Sequence, residues 1–391
     1  MKKWQKAASA FLAAMMVTGL VAGCGSSDKK EADSNEIKIG ALFELTGGVA
    51  NYGKSTLSGV QLAVEDVNKT GGVLGKKVVL VVGDDKSEPS EAGNVATKLI
   101  TQDKVKALIG PATSGGVAAC APIAEANKIP HMAPVATAAG ITVKDDGTVR
   151  PYAFRACFID PFQGKIMAKF AVEDLKVKKA AIFNDASSDY SKGLATVFAE
   201  TLKASGGEVV AQEAFLAKDV DFKSSLTKIK ATNPEVLYVP AYYEEVSKII
   251  KQARELGIDC PIIGSDGWDS SKLVEIAGAE ALNNTYFCSA YSAQDQTPSV
   301  QDFIKSYKAK FNSDPDTFAI HAYDAALIVF NAMETAKTTD GEAVAKAMAE
   351  TKDLPVATGT VSYDEYHNPI SSAVIIENKD GKQMFLKKMT L

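Results

Sequence analysis

Cysteine, histidine and tryptophan are scarce in this chain, at five, three and two of 391 residues. Cys24, Cys120, Cys157, Cys260 and Cys288 form no C-x-x-C pair, and His131, His321 and His367 lie far apart. Neither a metal site nor a dithiol redox motif is supported. No G-x-S-x-G turn and no H-E-x-x-H helix occurs, which removes two common hydrolase signatures. Basic residues form no block and the formal charge is −5, so nucleic acid finds little to hold. Long apolar runs are also missing, with one exception near the start.

That exception places the chain. Lys2, Lys3 and Lys6 precede an apolar run over residues 7–20, then Val21, Ala22, Gly23 and Cys24. A basic start, a short apolar segment and small residues before a cut spell a secretory signal over 1–23. The run is too short for a membrane span and has no basic stop beyond it. A cysteine directly after the small residues resembles a bacterial lipobox, which implies a lipid on Cys24. The chain is then expected outside the cytoplasm, lipid-anchored to the cell membrane, in the periplasm or on the outer face of the plasma membrane. Residues 24–35 hold no large apolar side chain and read as a flexible tether. Residues 1–23 carry three lysines and no acid, so their removal takes the charge from −5 to −8.

The folded part begins near Glu36, and its roughly 350 residues suit two lobes better than one core. Residues 37–43, 78–82, 105–109 and 129–132 read as strands, with helices over 56–68, 91–102 and 116–126 between them. A second series has strands at 180–183, 208–212, 236–239, 262–263 and 285–288, and helices at 164–175, 192–204, 222–231 and 245–256. This alternation predicts an α/β fold: two Rossmann-like lobes with parallel sheets flanked by helices. Helical stretches follow over 300–311, 317–336 and 341–350, then short strands at 358–363, 373–377 and 384–389. The late returns predict a hinge of several crossovers. Lobe 1 is expected from 36–156 and 291–362, and lobe 2 from 157–290 and 363–391. In an oxidising compartment Cys260 and Cys288 are the preferred disulfide pair, since their short apolar runs suit adjacent strands; buried free thiols fit equally.

Ligands of open parallel sheets bind at strand carboxyl ends, so the residues that follow each strand carry the chemistry. Gly110 to Gly116 (G-P-A-T-S-G-G) sets hydroxyls and free N–H groups at a helix start, a seat for a carboxylate or phosphate. Thr113 or Ser114 serving only as a helix cap is the other reading. Further strand ends offer 133–138, Asn184-Asp185 with Ser188-Asp189-Tyr190, Tyr242-Tyr243, and 264–268 (G-S-D-G-W). Hydroxyls, aromatics and one acid suit a small zwitterion with an apolar side chain. Asp84-Asp85 resembles a paired-carboxylate site but reads better as a loop cap, and His131 as a core histidine.

In order and spacing, the stretches 39–53 (I-G-A-L-F-E-L-T-G-G-V-A-N-Y-G), 59–68 with 71–75, 109–114, 134–137, Asp189-Tyr190 and 264–268 resemble a known family. It is that of the substrate-binding proteins of branched-chain (hydrophobic) amino-acid ABC importers, the leucine/isoleucine/valine-binding proteins of periplasmic binding fold type I. The resemblance runs from about residue 37 to the C-terminus. It implies that Ser114 binds the ligand α-carboxylate with the backbone N–H of Thr137. Thr137 and the carbonyl of Val135 would take the α-ammonium, with Asp266 of the other lobe as counter-charge. Tyr52, Tyr190, Tyr242 and Phe318 would line the side-chain pocket, and Trp268 would add a wall. Many relatives carry glutamate where Asp266 stands. The disulfide of some relatives falls here on Ser87 and Thr113, so that bridge is absent.

The expected function is capture of leucine, isoleucine, valine or phenylalanine between closing lobes and delivery to an ABC permease, by a monomer. No enzyme activity, cofactor, metal or nucleic acid is expected. The alternative keeps the fold and binds a short-chain amide, urea or aromatic acid, ligands with no use for an ammonium counter-charge. An extracellular enzyme built on Asp84 and Asp85, or a sensory module, ranks lower.

Overall fold

The computed structural model describes residues 35–369 and 372–391; the expected signal, Cys24 and all but the last residue of the tether lie outside the described residues. Five strands form the first sheet: β1 (Glu36–Phe43), β2 (Lys77–Asp84), β3 (Ala107–Ile109), β4 (His131–Ala133) and β5 (Ala153–Arg155). They pair in parallel in the order β2-β1-β3-β4-β5. Helices α1 (Ala50–Lys69), α2 (Pro89–Thr101) and α3 (Ser114–Ala126) make the crossovers. Strands such as β3, Ala-Leu-Ile, are buried throughout because helices cover both faces.

A second series builds the other lobe: α4 (Asp160–Glu173), β6 (Lys179–Asp185), α5 (Asp189–Ala204), β7 (Glu208–Phe215) and α6 (Lys223–Ala231). It continues with β8 (Val236–Tyr238), α7 (Tyr243–Glu255), β9 (Ile262–Gly264), α8 (Ser271–Ala277) and β10 (Thr285–Ser289). The chain then returns for α9 (Pro298–Phe311), α10 (Thr317–Ala336) and α11 (Gly341–Ala349), and a hairpin of β11 (Leu354–Val356) and β12 (Gly359–Val361). It ends with β13 (Ala373–Lys379) and β14 (Lys382–Met389) in the second sheet, ordered β14-β13-β10-β9-β8-β6-β7.

Apolar side chains of α1, α10 and α11 cover one face of the first sheet, and those of α2 and α3 cover the other. In the second lobe, α4 and α5 cover one face and α6, α7 and α8 the other. The two long helices α1 and α10 touch backbone to backbone: a Cβ on Gly59 would stand 2.0 Å from the Ala319 carbonyl oxygen.

Several expectations change. The second sheet is mixed, since β13 runs antiparallel to β10 and β14 antiparallel to β13. α1 starts at Ala50, six residues before the expected 56, and β5 and β11 are strands that the residue pattern did not signal. The strand expected at 358–363 is β12, and it pairs only with β11. Cys120, Cys157, Cys260 and Cys288 are all free thiols. The β9 and β10 strands are neighbours, but their register pairs Ile262 with Thr285 and Gly264 with Phe287. Cys260 therefore precedes one end and Cys288 passes the other, about five residue steps or roughly 16 Å apart. A disulfide needs Cα atoms within about 7 Å.

Candidate functional site

Eight of the nine expected ligand residues meet around one small cavity: Tyr52, Ser114, Val135, Thr137, Tyr190, Tyr242, Asp266 and Phe318. Ala112, Thr113 and Gly267 complete its lining. The first lobe supplies Tyr52 from α1, Ser114 from the start of α3, Val135 and Thr137 from the turn after β4, and Phe318 from α10. The second supplies Tyr190 from α5, Tyr242 at the N-terminus of α7, and Asp266 from the turn after β9.

The hydroxyls at the α3 start divide their work. Thr113 is the cap: its Oγ1 accepts the Gly116 N–H at 3.4 Å and donates to Glu44 Oε1 at 2.7 Å. Glu44, fully buried, also accepts the Ala112 and Thr113 N–H groups at 3.1 and 2.9 Å, which fixes this loop. Burial pushes the Glu44 carboxyl up, and those hydrogen bonds oppose it. Ser114 accepts the Ala138 N–H at 3.2 Å and turns its hydroxyl to the cavity, beside the helix N-terminus. An anion is stabilised there.

Across the cavity lies negative charge. Asp266 Oδ1 accepts the Tyr190 hydroxyl at 2.7 Å and the Gln163 amide at 3.0 Å. Burial pushes its pKa up to about 6 and the two donors restrain the rise. Asp160, the first residue of α4, is 2% exposed, and both of its carboxyl oxygens lack a closed hydrogen bond, as does the Thr137 hydroxyl. Burial raises the Asp160 carboxyl well above the usual range, and the Thr137 hydroxyl and the Arg155 guanidinium pull against that. The residue pattern gave no sign of Gln163, Asp160 or Glu44.

Aromatic rings form the rest. Tyr52 stacks on Phe318 at 4.3 Å and meets Tyr242 edge-on at 5.7 Å, and Tyr242 stacks on Tyr190 at 5.0 Å. Trp268 is not a wall. It is fully buried in the core of the second lobe, its Nε1 donates to the Val239 carbonyl at 3.0 Å, and its ring lies over Gly264. A Cβ on Gly264 would stand 2.0 Å from that ring, so the close approach turns the indole inward, away from the ligand side.

The lobes are closed on one another. The Tyr52 hydroxyl donates to the Gly267 carbonyl and accepts the Tyr243 N–H at 3.1 Å. Asn51 Nδ2 donates to Ser270 Oγ at 3.0 Å, and Lys218 pairs with Glu88 at 2.6 Å. A larger groove of about 800 Å³, open to solvent beside Lys54, Ser271 and Met384, contains none of the nine residues.

Other candidates resolve as structure. Asp84 caps a loop by accepting the Leu45, Thr46 and Lys86 N–H groups at 3.0, 3.2 and 2.8 Å. Asp85 accepts the Ser87 N–H at 2.9 Å, and neither acid reaches the cavity. His131 is buried, bonded to the Gly110 carbonyl at 2.6 Å, and burial lowers its pKa to about 4. The letters of residues 48–55, G-V-A-N-Y-G-K-S, match a phosphate-binding loop. α1 has already begun at Ala50, however, so three of the four intervening residues are helical and cannot wrap a phosphate. Among the described residues no cluster of three or more His, Cys, Asp or Glu is placed to hold a metal, and no helix is long and apolar enough to cross a membrane.

Residues 36–383 match the family model described as periplasmic binding protein. The Leu/Ile/Val-binding protein BraC3 of Rhizobium johnstonii is 34% identical over 331 residues, covering 84% of this chain and 88% of that protein. Among solved structures, the branched-chain amino acid transporter substrate binding protein LivJ of Streptococcus pneumoniae, in complex with isoleucine, is 42% identical with a TM-score of 0.84, covering 89% of this chain and 97% of that one. The leucine binding protein LivK of Thermotoga maritima is 35% identical with a TM-score of 0.85, covering 90% and 98%.

Proposed function

This chain belongs to the periplasmic binding protein family, and on that premise we propose that it captures a branched-chain or other hydrophobic amino acid between its two lobes. It is a solute-binding protein and not an enzyme. One observation carries the ligand: a buried carboxylate, Asp266, faces a helix N-terminus with the Ser114 hydroxyl across a cavity walled by Tyr52, Tyr190, Tyr242 and Phe318. Burying either charge of a zwitterion is costly unless it is paired. Ser114 and the Thr137 N–H take the carboxylate; Asp266, the Thr137 hydroxyl and the Val135 carbonyl take the ammonium; the rings take the side chain. A neutral amide or a plain acid leaves Asp266 unpaired, which disfavours that alternative.

Residues 36–156 with 291–362 then move as one lobe, and 157–290 with 363–391 as the other. The ligand contacts both only in the closed form, so it shifts the equilibrium by its differential affinity. In this reading the protein is a monomer, lipid-anchored through Cys24 on the outer side of the cell membrane, and it delivers its ligand to an ABC permease. The named relatives, described as amino-acid-binding and transporter components, support the transport role.

The test is calorimetric titration of residues 36–391, unfolded and refolded to strip carried-over ligand, with leucine, isoleucine, valine, phenylalanine, alanine and acetamide. Micromolar or tighter binding of an apolar amino acid is expected. Silence to every amino acid with a response to acetamide moves the chain to the alternative.

A further inference from the structure

The carboxylate that faces the cavity is gripped by a residue that does not line it. Gln163, in the first turn of α4 and fully buried, bonds Asp266 through both ends of its amide. Its Nε2 donates to Asp266 Oδ1 at 3.0 Å, and its Oε1 accepts the Asp266 backbone N–H at 3.1 Å. This pairing fixes which end of the amide is oxygen, because only the carbonyl accepts an N–H and only the NH₂ donates to a carboxylate. The Tyr190 hydroxyl is the second donor to the same oxygen, at 2.7 Å. Both side-chain donors thus sit on Oδ1, and among the described residues Oδ2 has no side-chain partner.

We propose that Gln163 is the positioning residue of the ammonium subsite: it ties the Asp266 carboxylate to the Asp266 backbone, keeps it ionised, and leaves its second oxygen aimed at the ligand. The proposal rests on the reading of the cavity as an amino-acid site. Charge-assisted donors favour the ionised form of a buried acid. They matter more here because, among the described residues, no cation stands next to Asp266. The titratable groups that share its field are the carboxyls of Asp160 and Asp269, the phenols of Tyr52, Tyr190, Tyr238 and Tyr242, and the thiols of Cys157 and Cys288. All of these are neutral or negative. Removing Gln163 leaves burial opposed by the Tyr190 hydroxyl and the Gly267 and Asp266 backbone N–H groups, a weaker set, and the acid keeps its proton to higher pH.

Leucine affinity measured by calorimetry from about pH 5 to about pH 8 tests this on the wild-type protein, Gln163→Met and Gln163→Glu. In the wild type, affinity climbs as Asp266 ionises and then levels. In Gln163→Met the climb moves up by about one pH unit, so leucine binding falls roughly tenfold near pH 5 and about two-fold at neutral pH. Gln163→Glu keeps an acceptor for the Asp266 N–H but sets a second carboxyl against the first, so its climb moves up as well. If the methionine variant does not fold, the glutamate variant decides by the same shift. The deaminated analogue of leucine is the control, since without an ammonium it gains nothing from an ionised Asp266 and its affinity shows no climb. A climb at the wild-type pH, with both ligands weakened alike, would show a merely structural role and overturn the proposal. A wild type that binds no leucine at any pH overturns the amino-acid reading first, and that outcome is separate.

Discussion

Asp269, on the turn after β9, accepts the backbone N–H of Thr317, the first residue of α10, at 3.1 Å. The next residue back is Asp316, which caps α10 by accepting the Ala319 N–H at 3.0 Å and the Ser55 hydroxyl. One acid from each lobe is thus set at the same seam. Burial raises the Asp269 carboxyl and the neighbouring Asp316 charge raises it further; burial also raises Asp316. A raised pKa in the folded, closed state contributes stability that is fully present below the ordinary carboxylate range. That contribution is lost as pH climbs through the raised values. The closed, leucine-bound protein should therefore lose thermal stability from about pH 4 to about pH 7, and Asp316→Asn, which keeps the cap, should flatten that fall. Melting curves across the range check it; an unchanged slope rules the pair out as a source.

Gly59 sits where α1 crosses α10, and a Cβ there meets the Ala319 carbonyl at 2.0 Å and the Ala322 side chain at 3.1 Å. The first contact is with backbone, which cannot swing away. Gly59→Ala removes a helix-weakening glycine, which alone favours folding by under 1 kcal/mol or so. Overpacking costs about 1–3 kcal/mol and wins. Denaturant unfolding should show net destabilisation.

Ser114→Ala removes the hydroxyl assigned to the ligand carboxylate and leaves the Ala138 N–H without its acceptor. The helix N-terminus and the Thr113 cap remain. A hydrogen bond to a charged group contributes about 2 kcal/mol, so leucine binding should weaken roughly thirty-fold. Calorimetry at neutral pH checks it, and affinity within two-fold of wild type would remove Ser114 from the site.

Legibility followed burial. β3 is a continuous apolar run, and so is β1 from Ile39 onward, because helices cover both faces, so their existence was readable. α1 was placed late because Gly53 and Ser55 in its first turns look like loop residues, while the close packing that favours helix there is set by α10, far along the chain. Most cavity residues follow strand ends and match a family pattern, which is why eight were found together, whereas Phe318 lies on α10 and was signalled by the family pattern alone. Trp268 also follows a strand end, but its direction is set by contact with Gly264, which no spacing reveals. Gln163 and Asp266 are 103 residues apart, and only the crossover after β5 brings the start of α4 under the β9 turn. Neither that pairing nor the unpartnered Asp160 carboxyl has a signature in one sequence.

The free thiols predict that reductant leaves the fold untouched. Cys120, Cys157 and Cys288 are buried and burial pushes each thiol well up, so the reactive thiolate is rare. Among the four described cysteines, Cys260 is half-buried and raised less, and it should react first with a thiol reagent in the native protein. A native disulfide would contribute about 2–5 kcal/mol, so its reduction would be plain in a melting curve. Identical melting temperatures with and without reductant are expected; a drop would restore a disulfide.

Tyr52 links the pocket to closure. Its ring stacks on Phe318 within the first lobe, and its hydroxyl reaches over to the Gly267 carbonyl and the Tyr243 N–H of the second. Water satisfies all three groups when the lobes are apart, whereas in the closed form they have only one another. Tyr52→Phe keeps the ring against the ligand and removes the bridge, leaving a buried donor and acceptor unpaired. The cost falls on the closed form alone, at about 1–3 kcal/mol. Association proceeds through the open form, so its rate should hold within two-fold while ligand release speeds up by roughly five- to a hundred-fold. The ligand-free protein should melt within a few degrees of wild type, since neither lobe's own core includes the bridge. Stopped-flow binding separates the two rates. Slower association with unchanged release would place Tyr52 in capture, not in holding the lobes shut.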